Sequence, residues 1–346
     1  MSSLPRAHGA APARGVIRTE PEDFYVEELL GFEPDGAGEH ALVLVEKRSA
    51  NTHWVAHVLA EHAGVARGDV SYAGAKDRHA VARQWFSLRL TSRPDPDWSA
   101  LHAEGVRVLS SGRHRRKLKR GAHSGNAFRL RVRALAGELR ELEARLPVVA
   151  SEGVPNYFGP QRYGHDNLQA ASELFAGRAL PRVQRGFALS AARSALFDAV
   201  LAARVTNATW NRLLPGDLAN LSGSASRFAV DTVDAALEDR VRLLDLHPTG
   251  PLWGRGEPQS QGEVRALELA TAAEHAGFAQ GLADAGLEQA RRALRVVPAR
   301  FTWEIGRDEL ALAFELPPGT YATSVLRELV EVEDEGGSGA HDHETC

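Results

Sequence analysis

Asp77 is a carboxylate whose neighbours suggest chemistry. It lies between Lys76 and Arg78 in the stretch SYAGAKDRHAVARQW, residues 71–85. Neighbouring cations favour the ionised form of a carboxylate, and an ionised carboxylate can act as a nucleophile. The same three residues would also make an ordinary surface ion pair, which is common and contributes little to stability. The residues alone leave both interpretations open.

The segments around Asp77 predict that it lies on a loop held between two strands. Residues 70–75 have the pattern of a short buried strand and a turn, and residues 84–90 alternate between apolar and polar side chains. Before them, helical spacing of apolar residues predicts a helix that is capped by Asn51 or Thr52 and ends near Gly64. A sheet and a helix would therefore fix the position of the loop.

A basic segment predicts contact with nucleic acid. Residues 105–137 contain ten Lys or Arg and no Asp or Glu, in a chain of net charge −4. Such a segment suits phosphate binding, although a solvated basic hairpin would have the same composition. Residues 126–135 alternate as a strand whose polar face carries three arginines, the last of them Arg133. The candidate phosphate contacts are Arg113, Arg115, Arg116, Lys117, Lys119, Arg120, Arg129 and Arg131.

Changes in composition predict a discontinuous two-domain organisation. An Ala- and Arg-rich, largely helical block lies between two strand-rich parts, as expected for one domain inserted into another. In the last part, Thr320 or Thr323 would cap a final helix over residues 324–332. The predicted parts are a flexible arm (1–15), a first domain in two pieces (16–154 and 299–331), an inserted domain (155–298) and a disordered tail (332–346).

Several common cofactor motifs are missing, which favours an enzyme that works with side chains alone. The sequence has no Walker A loop, no GxGxxG after a strand, no HExxH, no CxxC and no GxSxG. We therefore predict no metal and no cofactor. Cys346 is the single cysteine, which excludes an internal disulfide and fits a reducing cytoplasm. No apolar run is long enough to predict a membrane span.

With these residues in view, the sequence resembles the TruD family of tRNA pseudouridine synthases from about Thr19 to Leu329. The stretches that carry the resemblance are PEDFYVEELLGFEPDGAGEH, SYAGAKDRHAVARQW, HRRKLKRGAHSGNAF, VPNYFGPQRYG, LSAARSALF and PPGTYATSVLREL. The resemblance implies an α+β fold, in which a pseudouridine-synthase catalytic domain with a mixed, mainly antiparallel sheet carries an inserted α/β TRUD domain. It also implies isomerisation of uridine 13 of tRNA to pseudouridine.

The resemblance also assigns roles to individual residues. It makes Asp77 the catalytic aspartate, with Lys76 and Arg78 beside it to tune charge or touch phosphate. It places Phe24, Asn126, Phe128 and Tyr321 around the uracil. Phe128 would stack on the base and Asn126 would bind its edge. Tyr321 stands where the family commonly has phenylalanine, so its hydroxyl is available to the base or to water.

Two other classes of function fit the sequence less well. A non-catalytic tRNA-binding or folding protein on the same scaffold would be expected to lack the aspartate or the aromatic residues, and both are present. A hydrolase with an aspartyl nucleophile would need a partner base or a metal motif, and none is recognisable. The expected partner is therefore tRNA, with no membrane and no obligate protein partner, and the expected state is a monomer. Whether Asp77 attacks C1′ or C6, or assists glycal formation, stays open.

Overall fold

The computed structural model describes residues 4–164 and 166–337, which form two compact units. The first, called the sheet unit here, comprises Pro12–Leu146, Pro298–Gly319 and Leu329–Cys346. The second, the helical unit, comprises Met1–Ala11, Pro147–Val297 and Thr320–Glu328. Both units are therefore discontinuous in sequence.

The sheet unit is built on one mixed sheet of ten strands in the described residues. The strands are β1 (Ala13–Ile17), β2 (Phe24–Leu29), β3 (His40–Arg48), β4 (Val70–Tyr72), β5 (Val81–Arg89), β6 (Val106–His114), β7 (Gly125–Gly137), β14 (Ala299–Ile305), β15 (Leu310–Leu316) and β16 (Val330–Asp334). Seven of them lie in the order β14-β15-β7-β2-β5-β3-β6, with β1, β4 and β16 paired at the sides. Only the β1–β16 and β2–β5 pairs are parallel, so the predicted mainly antiparallel α+β fold is confirmed.

The face of this sheet that carries Phe24 and Phe128 is called the inner face here. Alternation puts Val26 and Glu28 of β2 on that face, since successive side chains of a strand point to opposite sides. Helix α1 (Thr52–Ala63) packs on the same face of the neighbouring strands β3 and β5. Its predicted ends are confirmed: Asn51 accepts a hydrogen bond from the amide of His53, and Gly64 ends it in the left-handed conformation.

The helical unit has a central helix, α5 (Arg182–Thr206), packed against shorter helices and two small sheets. By length and composition α5 could cross a membrane, but 56% of its apolar stretch is buried inside the protein, as in core helices. The remaining elements are α2 (Leu139–Glu152, shared with the sheet unit), β8 (Val154–Pro155), α3 (Pro160–Tyr163), α4 (Asn167–Phe175), β9 (Leu218–Leu221), β10 (Arg227–Ala229), α6 (Ala235–Arg242), β11 (Leu246–Leu252), α7 (Gly262–Glu274), α8 (Ala276–Asp284), β12 (Ala290–Ala293), β13 (Arg295–Val296) and α9 (Ala322–Leu329).

The chain termini differ from the sequence-based expectation. Residues 4–11 of the predicted arm lie in the helical unit, where the amides of Ala7 and His8 donate to the buried carboxylate of Glu328 at 2.9 and 3.2 Å. Residues 13–15 belong to β1. The predicted final helix ends at Leu329, because Val330–Asp334 leaves it and pairs with β1. Of the predicted disordered tail, residues 332–334 lie in β16, residues 335–337 form a short 3-10 helix, and residues 338–346 lie outside the described part of the chain.

The boundaries of the units run close to the predicted domain boundaries on both sides of the helical block. The units divide at Leu146/Pro147 and Val297/Pro298, against predicted boundaries after residues 154 and 298. Residues 320–328 belong to the helical unit, whereas the prediction placed them with the first domain. The assignment of a catalytic and an inserted domain to these units stays a prediction.

Candidate active site

The loop that carries Asp77 is fixed through its backbone. It connects β4 to β5, as predicted. The amide of Lys76 donates to the Thr52 hydroxyl of α1 at 3.0 Å, and the Gln84 side chain of β5 donates to the Gly74 carbonyl. Gln84 and Thr52 are both buried and bond to each other at 3.1 Å. A helix end and a strand thus hold the loop from two sides.

A third anchor is the fully buried lysine Lys47 of β3. Its ammonium donates to the carbonyls of Ala50 at 2.7 Å, Asp77 at 2.8 Å and Lys76 at 3.3 Å. Burial lowers the pKa of Lys47 to about 8, although the nearby charge of Asp77 opposes this shift. A lysine with all its donors on backbone carbonyls acts here as a clamp on the loop.

Arg18 is a cation that contacts the Asp77 side chain. Its Nη2 lies 3.1 Å from Asp77 Oδ2, and its Nη1 binds the carboxylate of Asp334. The guanidinium also lies 4.1 Å from the centroid of the Phe24 ring, a cation–π contact. Arg18 has a φ of 59°, which is uncommon for a residue with a side chain. Its backbone is therefore held in an unusual conformation where it faces Asp77.

The Lys76 side chain forms its ion pair with Glu28 of β2 and not with the Asp77 carboxylate. Its Nζ lies 2.6 Å from Glu28 Oε2, and the Glu28 side chain has no exposed surface. Burial raises the pKa of Glu28, and the charge of Lys76 opposes the shift. Arg78 is on the exposed side of the same loop. The two cations beside Asp77 in the sequence therefore have different surroundings.

Phe24, Phe128 and Asn126 lie together on the inner face. The rings of Phe24 and Phe128 meet edge to face with centroids 6.2 Å apart. Asn126 is buried, its amide nitrogen is 3.4 Å from His123 Nε2, and its Oδ1 has no hydrogen bond within the described residues. Burial, helped by the charge of Lys76, lowers the pKa of His123 to about 4. A neutral imidazole and an amide with an unused acceptor thus lie beside the aromatic pair.

These side chains form one continuous set of neighbours around part of the inner face. Asn126 pairs in register with Glu28, and Phe128 lies two residues farther on β7, on the same face. The set runs in order through Asp77, Arg18, Phe24, Phe128, Asn126, Glu28 and Lys76. It brings together a carboxylate, two aromatic rings and an amide, which are the groups needed to hold and attack a planar heterocycle.

Comparison with known proteins identifies the family of this site. The model of the TruD family, described as tRNA pseudouridine synthase D, matches residues 6–171 and 167–329. The chain belongs to the TruD family. A tRNA pseudouridine synthase D of Methylococcus capsulatus is 51% identical over 96% of both chains, and one of Aeromonas salmonicida is 44% identical over 96% of both.

A solved structure supports the fold of this TruD-family chain. The structure, from Methanosarcina mazei and assigned to TruD, superposes with a TM-score of 0.70. It covers 94% of this chain and 95% of its own, at 23% sequence identity. At that identity the likeness establishes the fold and nothing finer.

Tyr321 belongs to the helical unit, unlike the other predicted uracil-binding residues. Its hydroxyl accepts a hydrogen bond from Arg162 Nε at 3.1 Å, and its ring meets Phe158 with centroids 6.0 Å apart. It also packs closely on Gly159, where an added Cβ would come within 2.5 Å of the Tyr321 ring. The hydroxyl thus has a protein partner, and a role of Tyr321 toward uracil stays a prediction.

The predicted phosphate contacts fall into two groups in the sheet unit. Three already have protein partners: Arg113 pairs with Asp95 at 2.6 Å, Arg131 with Glu309 at 3.7 Å, and Arg129 lies 4.0 Å above the Tyr25 ring. The other five are exposed on the segment after β6, called the basic loop here: Arg115, Arg116, Lys117, Lys119 and Arg120. Leu118 anchors this loop, since its side chain is buried and its amide donates to the Ser87 hydroxyl at 2.9 Å.

Sequence reasoning missed three residues of the site. Arg18 gave no signal, since it is one of 37 arginines and lies 59 residues before Asp77. Glu28 lies in a stretch that carried the family resemblance, but nothing marked it as buried. Lys47 is one of only four lysines, and that scarcity was the available signal. In residues 4–164 and 166–337 no group of three or more His, Cys, Asp or Glu is arranged to hold a metal ion.

Proposed function

We propose that this protein isomerises a uridine of tRNA to pseudouridine, that the uridine is number 13, and that Asp77 is the nucleophile. The observation that carries the proposal is the continuous set of neighbours around Asp77. It joins the one carboxylate on the fixed loop to Phe24, Phe128 and Asn126, in a chain that belongs to the TruD family.

The reaction needs only what these side chains provide. The N1–C1′ bond of the uridine breaks, the uracil turns, and a C5–C1′ bond forms while C5 loses its proton to solvent. Asp77 forms a covalent intermediate at C1′ or C6, or removes the C2′ proton to give a glycal. Phe128 and Phe24 hold the extruded base by stacking, and Asn126 binds its edge through the unused Oδ1.

Arg18 is a positioning residue in this scheme. Its guanidinium fixes the direction of the Asp77 carboxylate and offsets its charge through the contact of 3.1 Å. The Lys47 clamp and the Thr52 bond hold the loop backbone in the same place. The nucleophile is thus oriented before the substrate arrives, which avoids an entropic cost during the reaction.

The basic loop supplies the tRNA contact in this proposal, and its charge can be tested. Replacing Arg115, Arg116 and Lys117 together with glutamine should weaken tRNA binding and reduce the slope of log Kd against log salt by roughly two to three, about one per lost phosphate contact. Filter binding at several salt concentrations measures this slope.

A control variant of the same net charge separates local contact from a general charge effect. Arg242 and Arg255 are exposed, Arg240 is partly exposed, and each pairs with an acidic residue. Replacing these three with glutamine should leave the slope close to that of the wild type. An equal loss of slope in both triple variants would show that the basic loop has no special role.

The position of the modified uridine has its own test. Tritium release from C5-labelled uridines should occur with a tRNA transcript carrying U13, and should vanish when position 13 alone is changed to cytidine. The other uridines of the transcript serve as internal controls. Unchanged release from the C13 transcript would overturn the position, while no release from either transcript would overturn the activity.

A further inference from the structure

The start of helix α5 exposes an unusual surface. Residues 182–187 are all exposed, although the helix becomes buried from Ala188 onward. Two of the exposed side chains are large and apolar: Val183 is 58% and Phe187 is 56% accessible. They lie four residues apart and therefore share one face of the helix. The surface formed by Arg182, Val183, Arg185, Gly186 and Phe187 is called the α5 patch here.

The charge of the α5 patch favours an anionic partner. The chain between Glu173 and Asp198 contains four arginines and no acidic residue. Arg178 pairs with Glu173, and Arg193 donates to the carbonyls of Leu252 and Glu288. The other two are Arg182 and Arg185, which make no ion pair with another residue of the described chain. They lie one helical turn apart, beside the apolar pair.

Gly186 adds an observation of a different kind. It is inside the helix, where glycine is less stable than alanine. Yet a Cβ added at Gly186 would meet no heavy atom within 4 Å beyond its own helix and chain neighbours in the described residues. No neighbour among the described residues requires a glycine there. A missing side chain on an exposed helix face lets another molecule approach the backbone closely.

We propose that the α5 patch is a second RNA-binding surface, which takes a single-stranded or looped segment of the tRNA. Arg182 and Arg185 bind phosphates, Phe187 stacks on a base, and Gly186 lets the strand lie against the helix backbone. This inference rests on the proposed function, since it takes tRNA as the substrate. It assigns an RNA contact to the helical unit, independent of the basic loop.

A protein partner fits the α5 patch less well. A stable protein interface usually involves about 20–30 residues on each side and a broad apolar centre. The patch offers two large apolar side chains, flanked by two arginines without acidic partners. That arrangement matches a base and its phosphates better than an extended protein surface.

Gly186→Ala is the sharpest test, because we expect it to stabilise the helix and to weaken RNA binding, so that a loss of binding could not be explained by a loss of stability. As a helix residue, alanine should raise the melting temperature of the protein. As part of an RNA surface, the added methyl should weaken tRNA binding at least about fivefold, equivalent to about 1 kcal/mol. Gly277 is the matched control: it is an exposed glycine of α8 with no heavy atom near an added Cβ. Gly277→Ala should stabilise the protein without changing the tRNA Kd.

The arginines are tested in the same assay. Arg182→Gln with Arg185→Gln should raise the tRNA Kd and lower the salt slope by roughly two. An unchanged Kd in both Gly186→Ala and the double arginine variant would overturn the proposal. Altered self-association or capture of a protein partner, with an unchanged tRNA Kd, would also overturn it in favour of a protein surface.

Failure of this inference is distinguishable from failure of the proposed function. Binding is measured with unmodified tRNA and needs no turnover. If the wild type releases tritium and the α5 variants bind tRNA normally, only the α5 patch is refuted. If the wild type releases no tritium but the variants weaken tRNA binding, RNA binding by the α5 patch is supported and the proposed activity is refuted.

Discussion

Asp77→Asn should abolish tritium release from C5-labelled tRNA, lowering the rate by more than about 10³-fold. An amide cannot replace a carboxylate that forms a bond to the nucleotide or removes its proton. The amide has nearly the same shape and can still accept a hydrogen bond from Arg18, so the loop should keep its position. The tRNA Kd should therefore change little. Single-turnover release at saturating enzyme measures the effect.

Asp334→Asn is the matched control for this experiment. Asp334 binds the other amino group of the same Arg18 guanidinium, and its side chain is exposed to a similar extent, 36% against 29% for Asp77. Its loss should lower the rate less than about tenfold. If both variants are equally inactive, the effect comes from a displaced Arg18 and not from a lost nucleophile. A fully active Asp77→Asn protein would remove Asp77 from the mechanism.

Lys47→Met should lower the single-turnover rate by about 10²-fold without a direct contact to the substrate. The variant keeps the volume of the side chain but removes the donor for the carbonyls of Lys76 and Asp77. A shift of about 1 Å in a reacting group is enough for such a loss. Hydrogen exchange of the amides in the loop should speed up in parallel. Arg227→Met, at an exposed site of β10, should leave the rate at saturating enzyme unchanged.

The stability of the wild type relative to Lys47→Met should increase with pH. The pKa of Lys47 is about 8 in the folded protein and about 10.5 in the unfolded chain. Between these values the unfolded chain holds one more proton, so the free energy of unfolding of the wild type rises with pH. Relative to Lys47→Met it should gain roughly 3 kcal/mol from pH 8 to 10.5. Urea unfolding of both proteins measures this difference, and a constant difference would refute a neutral Lys47 at high pH.

Individual strands and helices could be predicted where the sequence pattern of the segment itself determines its conformation. Strand β7 alternates between buried and outward-facing side chains from Asn126 to Val132, and α1 has both a capping Asn51 and a terminating Gly64. Strand β16 was mistaken for helix because Val330 continues the helical spacing of α9. Its conformation is decided by β1, whose partner residues lie more than 300 positions away. Such pairing leaves no mark in a local pattern.

The motif residues of the candidate site could be predicted from the sequence, but the contacts between them could not. Asp77, Phe24, Asn126 and Phe128 came from motifs, and the structure places them in one connected set. The contact between Arg18 and Asp77 could not be predicted this way, because the adjacent Lys76 was the obvious candidate, and in the structure Lys76 pairs with Glu28. The tertiary fold determines which of the many arginines contacts a given carboxylate.

The pairing of the first strand with the last has a consequence for protein synthesis. The segment Pro147–Val297, which makes up most of the helical unit, is synthesised before β14, β15 and β16, and α9 follows β15. Until β15 and β16 are synthesised, β7 and β1 each have an unpaired edge, and unpaired strand edges are prone to non-native pairing and aggregation. Arg18 meets Asp334 only when β16 arrives beside β1. The surroundings of the candidate nucleophile are thus among the last parts of the protein to assemble.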